Sequence, residues 1–130
     1  MILVDSSVWI DFLSSRPGLG GQELRRLIAE GAPIAVSGVV VTEVLQGLKR
    51  DAEPIEDYLS LFDLLEPSGF ETFRRAAELF RRARSRGVSL TTTDVIIAAV
   101  AAENRAEVFT LDHDFIRIAR LAGLVLYPTR

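Results

Sequence analysis

Short apolar runs alternate along this chain with longer segments of helical periodicity. The short runs predict strands at ILVD (2–5), PIAVS (33–37), EVFTLD (107–112) and LVLY (124–127). Between them the apolar residues recur at helical spacing, which predicts helices at 6–15, 21–31, 38–50, 54–65, 70–87, 91–105 and 113–123. Gly31 and Gly87 stand where two of these helices should end.

Helices that separate consecutive strands indicate parallel crossover connections. The pattern therefore predicts an α/β fold, a three-layer sandwich with a central, mostly parallel sheet of about five short strands flanked by helices. A chain of 130 residues without repeats or an evident linker is expected to form one domain, residues 1–130. In such a sheet, ligands bind at the carboxyl ends of the strands.

Composition narrows the chemistry that the fold could support. Apolar residues make up 48% of the chain, no apolar run approaches the roughly 18 residues of a membrane span, and no basic segment precedes the first strand. A cytoplasmic location is therefore expected. Cysteine is absent and His113 is the sole histidine, so a metal site would need oxygen ligands.

Acidic residues follow two of the predicted strands. Asp5 comes directly after ILV, and Asp112 and Asp114 flank His113 in FTLDHDF. A single aspartate in such a place more often caps the next helix, and His113 is interpreted as a solvated loop residue. Because parallel strands end at one edge of the sheet, Asp5 and Asp112 are nevertheless expected to lie near each other.

Two further acids lie on predicted helices. Glu43 borders the apolar face of helix 38–50 beside Gly47, as either a boundary residue or a site residue. Asp94 precedes VIIAAVAA, which is apolar around the whole helix and must be buried. Threonines 91–93 could cap this helix, which would leave Asp94 available for another role.

Together these acids predict a cation site. Two carboxylates about 5 Å apart repel each other by roughly 3 kcal/mol at an effective dielectric constant of 20. Four of them coexist only if some are protonated or a cation neutralises them. Oxygen ligands select Mg²⁺ or Mn²⁺, which can activate water and stabilise charge on a phosphate oxygen.

Four stretches of the chain carry a family resemblance: ILVDSSVWIDFL, VVVTEVLQGL, TTTDVIIAAVAAENRAEVFTLDHDF and LVLYP. They resemble the PIN-domain ribonucleases, and most of all the short VapC-type toxins of toxin–antitoxin pairs. The resemblance runs from end to end and implies a PIN-like fold. It also implies site residues: metal-binding, catalytic acids at Asp5, Glu43, Asp94 and Asp112, a frequent fifth acid at Asp114, and supporting polar residues at Ser6, Ser7 and Thr110.

The same resemblance implies a function. It implies a Mg²⁺- or Mn²⁺-dependent endoribonuclease, a hydrolase that cleaves RNA in single-stranded or loop regions. Such toxins are typically homodimers, neutralised by a small VapB-like antitoxin whose C-terminal segment blocks the acidic pocket. The expected chemistry is in-line attack by metal-activated water, with one ion or with two about 4 Å apart.

Two surfaces are candidates for binding partners. The net charge is −3, but arginines opposite the apolar face of helix 70–87 form either an RNA track or a solvated face: Arg74, Arg75, Arg81, Arg82 and Arg86. Another group fills the core or forms a partner groove or dimer interface: Trp9, Phe12, Tyr58, Leu59 and Phe62.

Other functions fit the residues less well. A phosphate-signalling receiver domain needs a lysine near its last strand, whereas Lys49 lies in the third helix. A phosphatase with an aspartyl nucleophile needs a second aspartate two residues after Asp5, where this chain has Ser7. A non-catalytic RNA- or protein-binding module on the same fold stays an alternative, although all four acids are present.

Overall fold

The computed structural model describes residues 1–128. Four strands form the sheet: β1 Ile2–Val4, β2 Ile34–Ser37, β3 Asp63–Leu65 and β4 Glu107–Phe109. Seven helices surround it: α1 Ser6–Leu13, α2 Leu19–Ala29, α3 Gly38–Gln46, α4 Glu53–Leu59, α5 Phe70–Ser85, α6 Thr92–Glu103 and α7 Asp114–Ala122. Each was predicted in type and approximate position except β3, and the predicted strand at 124–127 is not formed.

The sheet has the strand order β3-β2-β1-β4, and every pair is parallel. β1 is central, with Ile2 opposite Ile34 on one side and Val4 opposite Phe109 on the other. The chain moves outward from β1 to β3 and then returns to the far side of β1 to form β4. The strand order therefore reverses between β1 and β4, and the crevice at their carboxyl ends is the expected ligand site.

Crossovers between parallel strands are almost always right-handed, and for this strand order the rule assigns the helices before β3 and those after it to opposite faces of the sheet. α1 packs against α2 and α3, whereas α5 packs against α6 and α7. The sheet between them is buried, with Leu3, Val4 and Phe109 wholly inaccessible. α6 is buried as its sequence predicts, since Val95 and every residue from Ile97 to Ala101 lie in the core. None of the described helices is long and apolar enough to cross a membrane.

The expected number of strands, about five, was slightly too high. LVLY forms a single parallel bridge, between Val108 and Leu126, rather than a strand. Val108 donates its N–H to the carbonyl of Val125, and its own carbonyl accepts from the N–H of Tyr127; these two hydrogen bonds make up the single bridge.

The segment 54–65 is likewise not one continuous helix. α4 ends at Leu59, and residues 63–65 pair with residues 35–37 of β2. The open edge of β2 offers backbone hydrogen bonds that outweigh the local helical pattern.

The five residues predicted either to fill the core or to form a partner surface do not all have the same environment. Trp9 is wholly buried and meets the rings of Phe12, Tyr58 and Phe62 edge-on. Leu59 is buried as well, so Trp9 and Leu59 belong to the core. Phe12, Tyr58 and Phe62 are half-buried and keep part of their surface exposed.

Candidate active site

Asp5 lies at the carboxyl end of the central strand and is buried, with 4% of its surface exposed. It occupies the N-cap position of α1, but its side chain makes no capping hydrogen bond. Instead Asp5 Oδ2 accepts hydrogen bonds from Ser7 Oγ at 2.7 Å and Thr110 Oγ1 at 3.0 Å. The carboxylate is therefore turned towards the crevice between β1 and β4 rather than towards the helix.

Ser7 joins Asp5 to the chain segment that follows β4. Its Oγ accepts the backbone N–H of Leu111 at 3.0 Å while donating to Asp5. Thr110 Oγ1 accepts the backbone N–H of Asp112 at 3.0 Å while donating to Asp5. Two hydroxyl groups thus fix the rotamer of Asp5 and the start of the Asp112 loop at the same time.

Glu43 is presented to the crevice by α3, which begins with Ser37 as its N-cap. Ser6 Oγ donates to Glu43 Oε1 at 3.1 Å, so the α1 terminus and α3 meet at this carboxylate. Burial raises the pKa of Glu43; the hydrogen bond from Ser6 lowers it, and the charges of Asp5 and Asp94 raise it again. The charge effect shows that the three carboxylates share one region.

Asp94 lies in the first turn of α6 but does not cap it. Thr91 is the N-cap, and its Oγ1 accepts the backbone N–H of Asp94 at 3.1 Å. Burial raises the pKa of the Asp94 carboxyl, a side-chain hydrogen bond with Thr91 lowers it, and the charges of Asp112, Asp5 and Asp114 raise it further. The charge on Asp94 is thus destabilised by acids from two other parts of the chain.

Asp112 and Asp114 have different positions at the start of α7. Asp112 Oδ1 accepts the backbone N–H of Asp114 at 2.9 Å, so this oxygen bonds to the first residue of α7, although the N-cap residue of that helix is His113. Asp112 is half-buried, whereas Asp114 and His113 are exposed. Asp114 contributes to the raised pKa of Asp94 and therefore lies at the margin of the same acidic region.

The folded chain thus brings Asp5, Glu43, Asp94 and Asp112 to the carboxyl edge of the sheet. Over residues 1–128, however, no three histidine or acidic side chains converge closely enough to form a ready-made metal site. The donors are all oxygens, and burial, with mutual repulsion as a smaller cause, raises the pKa of Glu43 and Asp94. A divalent cation fits this donor set, because it would remove the repulsion and draw the carboxylates together.

Sequence reasoning missed two polar contacts made by side chains of α1. The backbone N–H of Leu111 bonds to Ser7, and no side-chain pattern reveals a backbone donor. Asp11, on α1, accepts the N–H groups of Gly18 at 3.0 Å and Gly21 at 2.7 Å and so binds the start of α2. The glycine-rich sequence after Pro17 was the available signal for this second contact.

The five arginines predicted as an RNA track fall into two groups, and the last of them, Arg86, is the C-cap residue of α5 rather than part of the helix. Arg74 pairs with Glu71 at 2.6 Å and with Glu78 at 2.9 Å, and Arg75 pairs with Glu71 at 3.3 Å. Within the described part of the chain, Arg81, Arg82 and Arg86 form no ion pair. Unneutralised positive charge is therefore concentrated in the second half of the helix.

The strand order, with acids at the point between β1 and β4 where that order reverses, is a feature of a known class of proteins. The PIN-domain profile matches residues 2–121, and this chain belongs to the PIN-domain family.

Relatives within that family are named ribonucleases. Ribonuclease VapC11 of Mycobacterium tuberculosis is 32% identical over 128 residues, which cover 95% of this chain and 96% of VapC11. A VapC ribonuclease of Mycobacterium bovis shows the same identity and coverage.

Solved structures share the fold. VapBC2 from Rickettsia felis, bound to a promoter DNA fragment, superposes with a TM-score of 0.78 at 22% identity, covering 98% of both chains. A toxin–antitoxin complex from Klebsiella pneumoniae gives 0.71 at 26% identity, covering 88% of this chain and 90% of the other.

Proposed function

We propose that this chain is a metal-dependent endoribonuclease toxin. The observation that carries the proposal is the set of four carboxylates, from four separate segments, around the switch point of a parallel sheet. Support comes from relatives named ribonucleases that match over nearly their whole length. Another structure of this fold is described as a toxin that cleaves the sarcin–ricin loop.

In this proposal Asp5, Glu43, Asp94 and Asp112 hold Mg²⁺ or Mn²⁺, with Asp114 at the margin. The bound cation would supply an activated water and stabilise charge on the leaving oxygen. The protein keeps its carboxylates oriented through hydroxyl donors: Ser7 and Thr110 for Asp5, and Ser6 for Glu43. No cysteine exists, and the proposed hydrolysis needs no covalent nucleophile from the chain.

The proposed partners are RNA, a VapB-like antitoxin and a second copy of the chain. The antitoxin is supported by the structures of the same fold, several of which are toxin–antitoxin complexes. The half-buried rings of Phe12, Tyr58 and Phe62 are a candidate surface for one of these protein partners, because exposed aromatic residues often mark interfaces.

Cleavage of RNA in the presence and absence of the cation tests the proposal. Wild-type protein should cleave with Mn²⁺ or Mg²⁺ and stop when EDTA is added. Asp5→Asn and Asp94→Asn should abolish cleavage, whereas Asp57→Asn, an exposed acid on α4, should not. Cleavage that survives EDTA and both site substitutions would contradict the proposed mechanism.

A non-catalytic binding module is the second candidate, because the carboxylates do not already converge on one point. Isothermal titration with MnCl₂ separates the two functions. The nuclease predicts stoichiometric Mn²⁺ binding that Asp94→Asn weakens, together with cleavage. RNA binding without either Mn²⁺ binding or cleavage would favour the module.

A further inference from the structure

α5 and α6 enclose an apolar groove at the N-terminal end of α6, the helix that carries Asp94. It has a volume of about 370 Å³ and is lined by Phe73, Ala76, Ala77, Phe80, Arg81, Thr92, Val95 and Ile96. Phe73 leaves 48% of its surface exposed, and Phe80 is half-buried. The groove therefore presents aromatic surface to solvent, with one cation at its edge.

Charge along α5 distinguishes Arg81 from the arginines before and after it. Arg74 and Arg75 are neutralised by glutamates of the same helix. Arg82 and Arg84 lie in the last turn, where they stabilise the helix dipole, and Arg84 lies 5.8 Å from the centre of the Phe80 ring. Arg81 has neither role and no ion pair among residues 1–128, yet it edges the groove.

The surroundings of this groove favour a polyanion. Residues 79–93 contain four arginines and no acidic residue. Thr92 and Val95 line the groove, while Asp94 of the same turn belongs to the acidic region. A helix is only about 10 Å across, so an extended polyanion that passes the N-terminus of α6 could reach both the groove and the acidic region.

We propose that this groove holds single-stranded RNA beside the acids, with one base stacked on Phe73 and a phosphate bound by Arg81. Exposed aromatic rings and unpaired arginines are the two features that single-strand binding sites combine. The assignment rests on the proposed nuclease function and adds the path of its substrate. It also predicts weak sequence preference at this position, since every base has a face that can stack.

Matched substitutions test the phosphate contact. Binding of a short fluorescein-labelled single-stranded RNA is measured by fluorescence anisotropy in EDTA, over a series of salt concentrations. Arg81→Gln should weaken binding several-fold and make the slope of log Kd against log salt shallower by about 0.7. Arg74→Gln removes the same charge from the same helix and should leave that slope unchanged, because Arg74 is already neutralised.

A second pair of variants tests the stacked base. Phe73→Leu keeps the apolar character but removes the ring, and should weaken binding roughly tenfold. Phe70→Leu changes a ring that is 84% exposed and lies outside the groove, and should have little effect. Equal effects of both members in either pair would overturn the assignment.

The outcomes also separate this inference from the nuclease proposal and from a dimer contact. If wild-type protein cleaves with Mn²⁺ but Arg81→Gln and Phe73→Leu bind RNA normally, only the groove assignment fails. If wild-type protein does not cleave, the nuclease proposal fails and the binding comparison still decides the groove. If sedimentation velocity shows that either variant dissociates a dimer and its RNA binding returns when the dimer is restored, the groove is a subunit interface and the assignment is wrong.

Discussion

At the scale of single residues, Asp5 illustrates why an acid ends a core strand. Burial would be costly for a carboxylate without partners, and two hydroxyl donors at 2.7 and 3.0 Å meet this requirement. The sequence position alone allowed a helix cap, and the orientation of the side chain away from that role depends on Thr110, which lies 105 residues away.

Asp94→Asn should abolish cleavage and stabilise the folded protein at neutral pH. The raised pKa means that folding disfavours ionised Asp94, so its unfavourable contribution appears as pH rises above the ordinary value of 3.8. The neutral amide removes it, for a gain of up to about 1 kcal/mol after screening by solvent. Thermal unfolding without metal should show the gain at neutral pH and its loss below pH 3.8; an unchanged difference between these pH values would contradict the explanation.

Ser7→Ala should impair the site more than it impairs the fold. It removes one donor to Asp5 and the acceptor of the Leu111 N–H, which should lower Mn²⁺ affinity about 10- to 100-fold and stability by about 1 kcal/mol. Titration calorimetry and cleavage rates measure the first effect, and chemical denaturation measures the second. Ser60→Ala, which removes an exposed hydroxyl that donates to the Asp57 carbonyl, is the control.

At the scale of elements, prediction succeeded where the local sequence pattern and the packing of the folded protein favour the same structure. The apolar residues around α6 required burial on all sides, and that helix lies in the core. Prediction failed for β3, because the open edge of β2 is not visible in residues 54–65. For the site, the sequence indicated which edge the acids share but not which hydroxyl orients which acid.

The contact between α1 and α2 depends on a glycine. A Cβ atom on Gly21 would lie 2.8 Å from the backbone nitrogen of Phe12, a contact that cannot relax by turning a side chain. Gly21→Ala should therefore destabilise the protein by about 1 to 3 kcal/mol in chemical denaturation. Gly38→Ala, whose Cβ would meet nothing within 4 Å, should be neutral or stabilising by up to about 1 kcal/mol. If the two substitutions changed stability equally, the close approach of α2 to α1 at Gly21 would not be the reason that position needs glycine.

At the scale of the whole molecule, the acidic crevice makes stability respond to the proposed cation. MnCl₂ should raise the midpoint of thermal unfolding, since a ligand at 100 times its Kd stabilises the folded state by about 2.7 kcal/mol. The shift should shrink in Asp5→Asn and persist in Asp57→Asn. An equal shift in all three proteins would mean that Mn²⁺ binds elsewhere.

The parallel pairing of β1 with β4 also has a consequence for synthesis in the cell. Asp5 leaves the ribosome early, but the strand beside it and the hydroxyl of Thr110 come more than 100 residues later. A growing chain that stops short of residue 107 would lack both the neighbouring strand and half of the groups that hold Asp5. Prematurely terminated products would therefore lack an organised acidic site, and under the proposed function they should not cleave RNA.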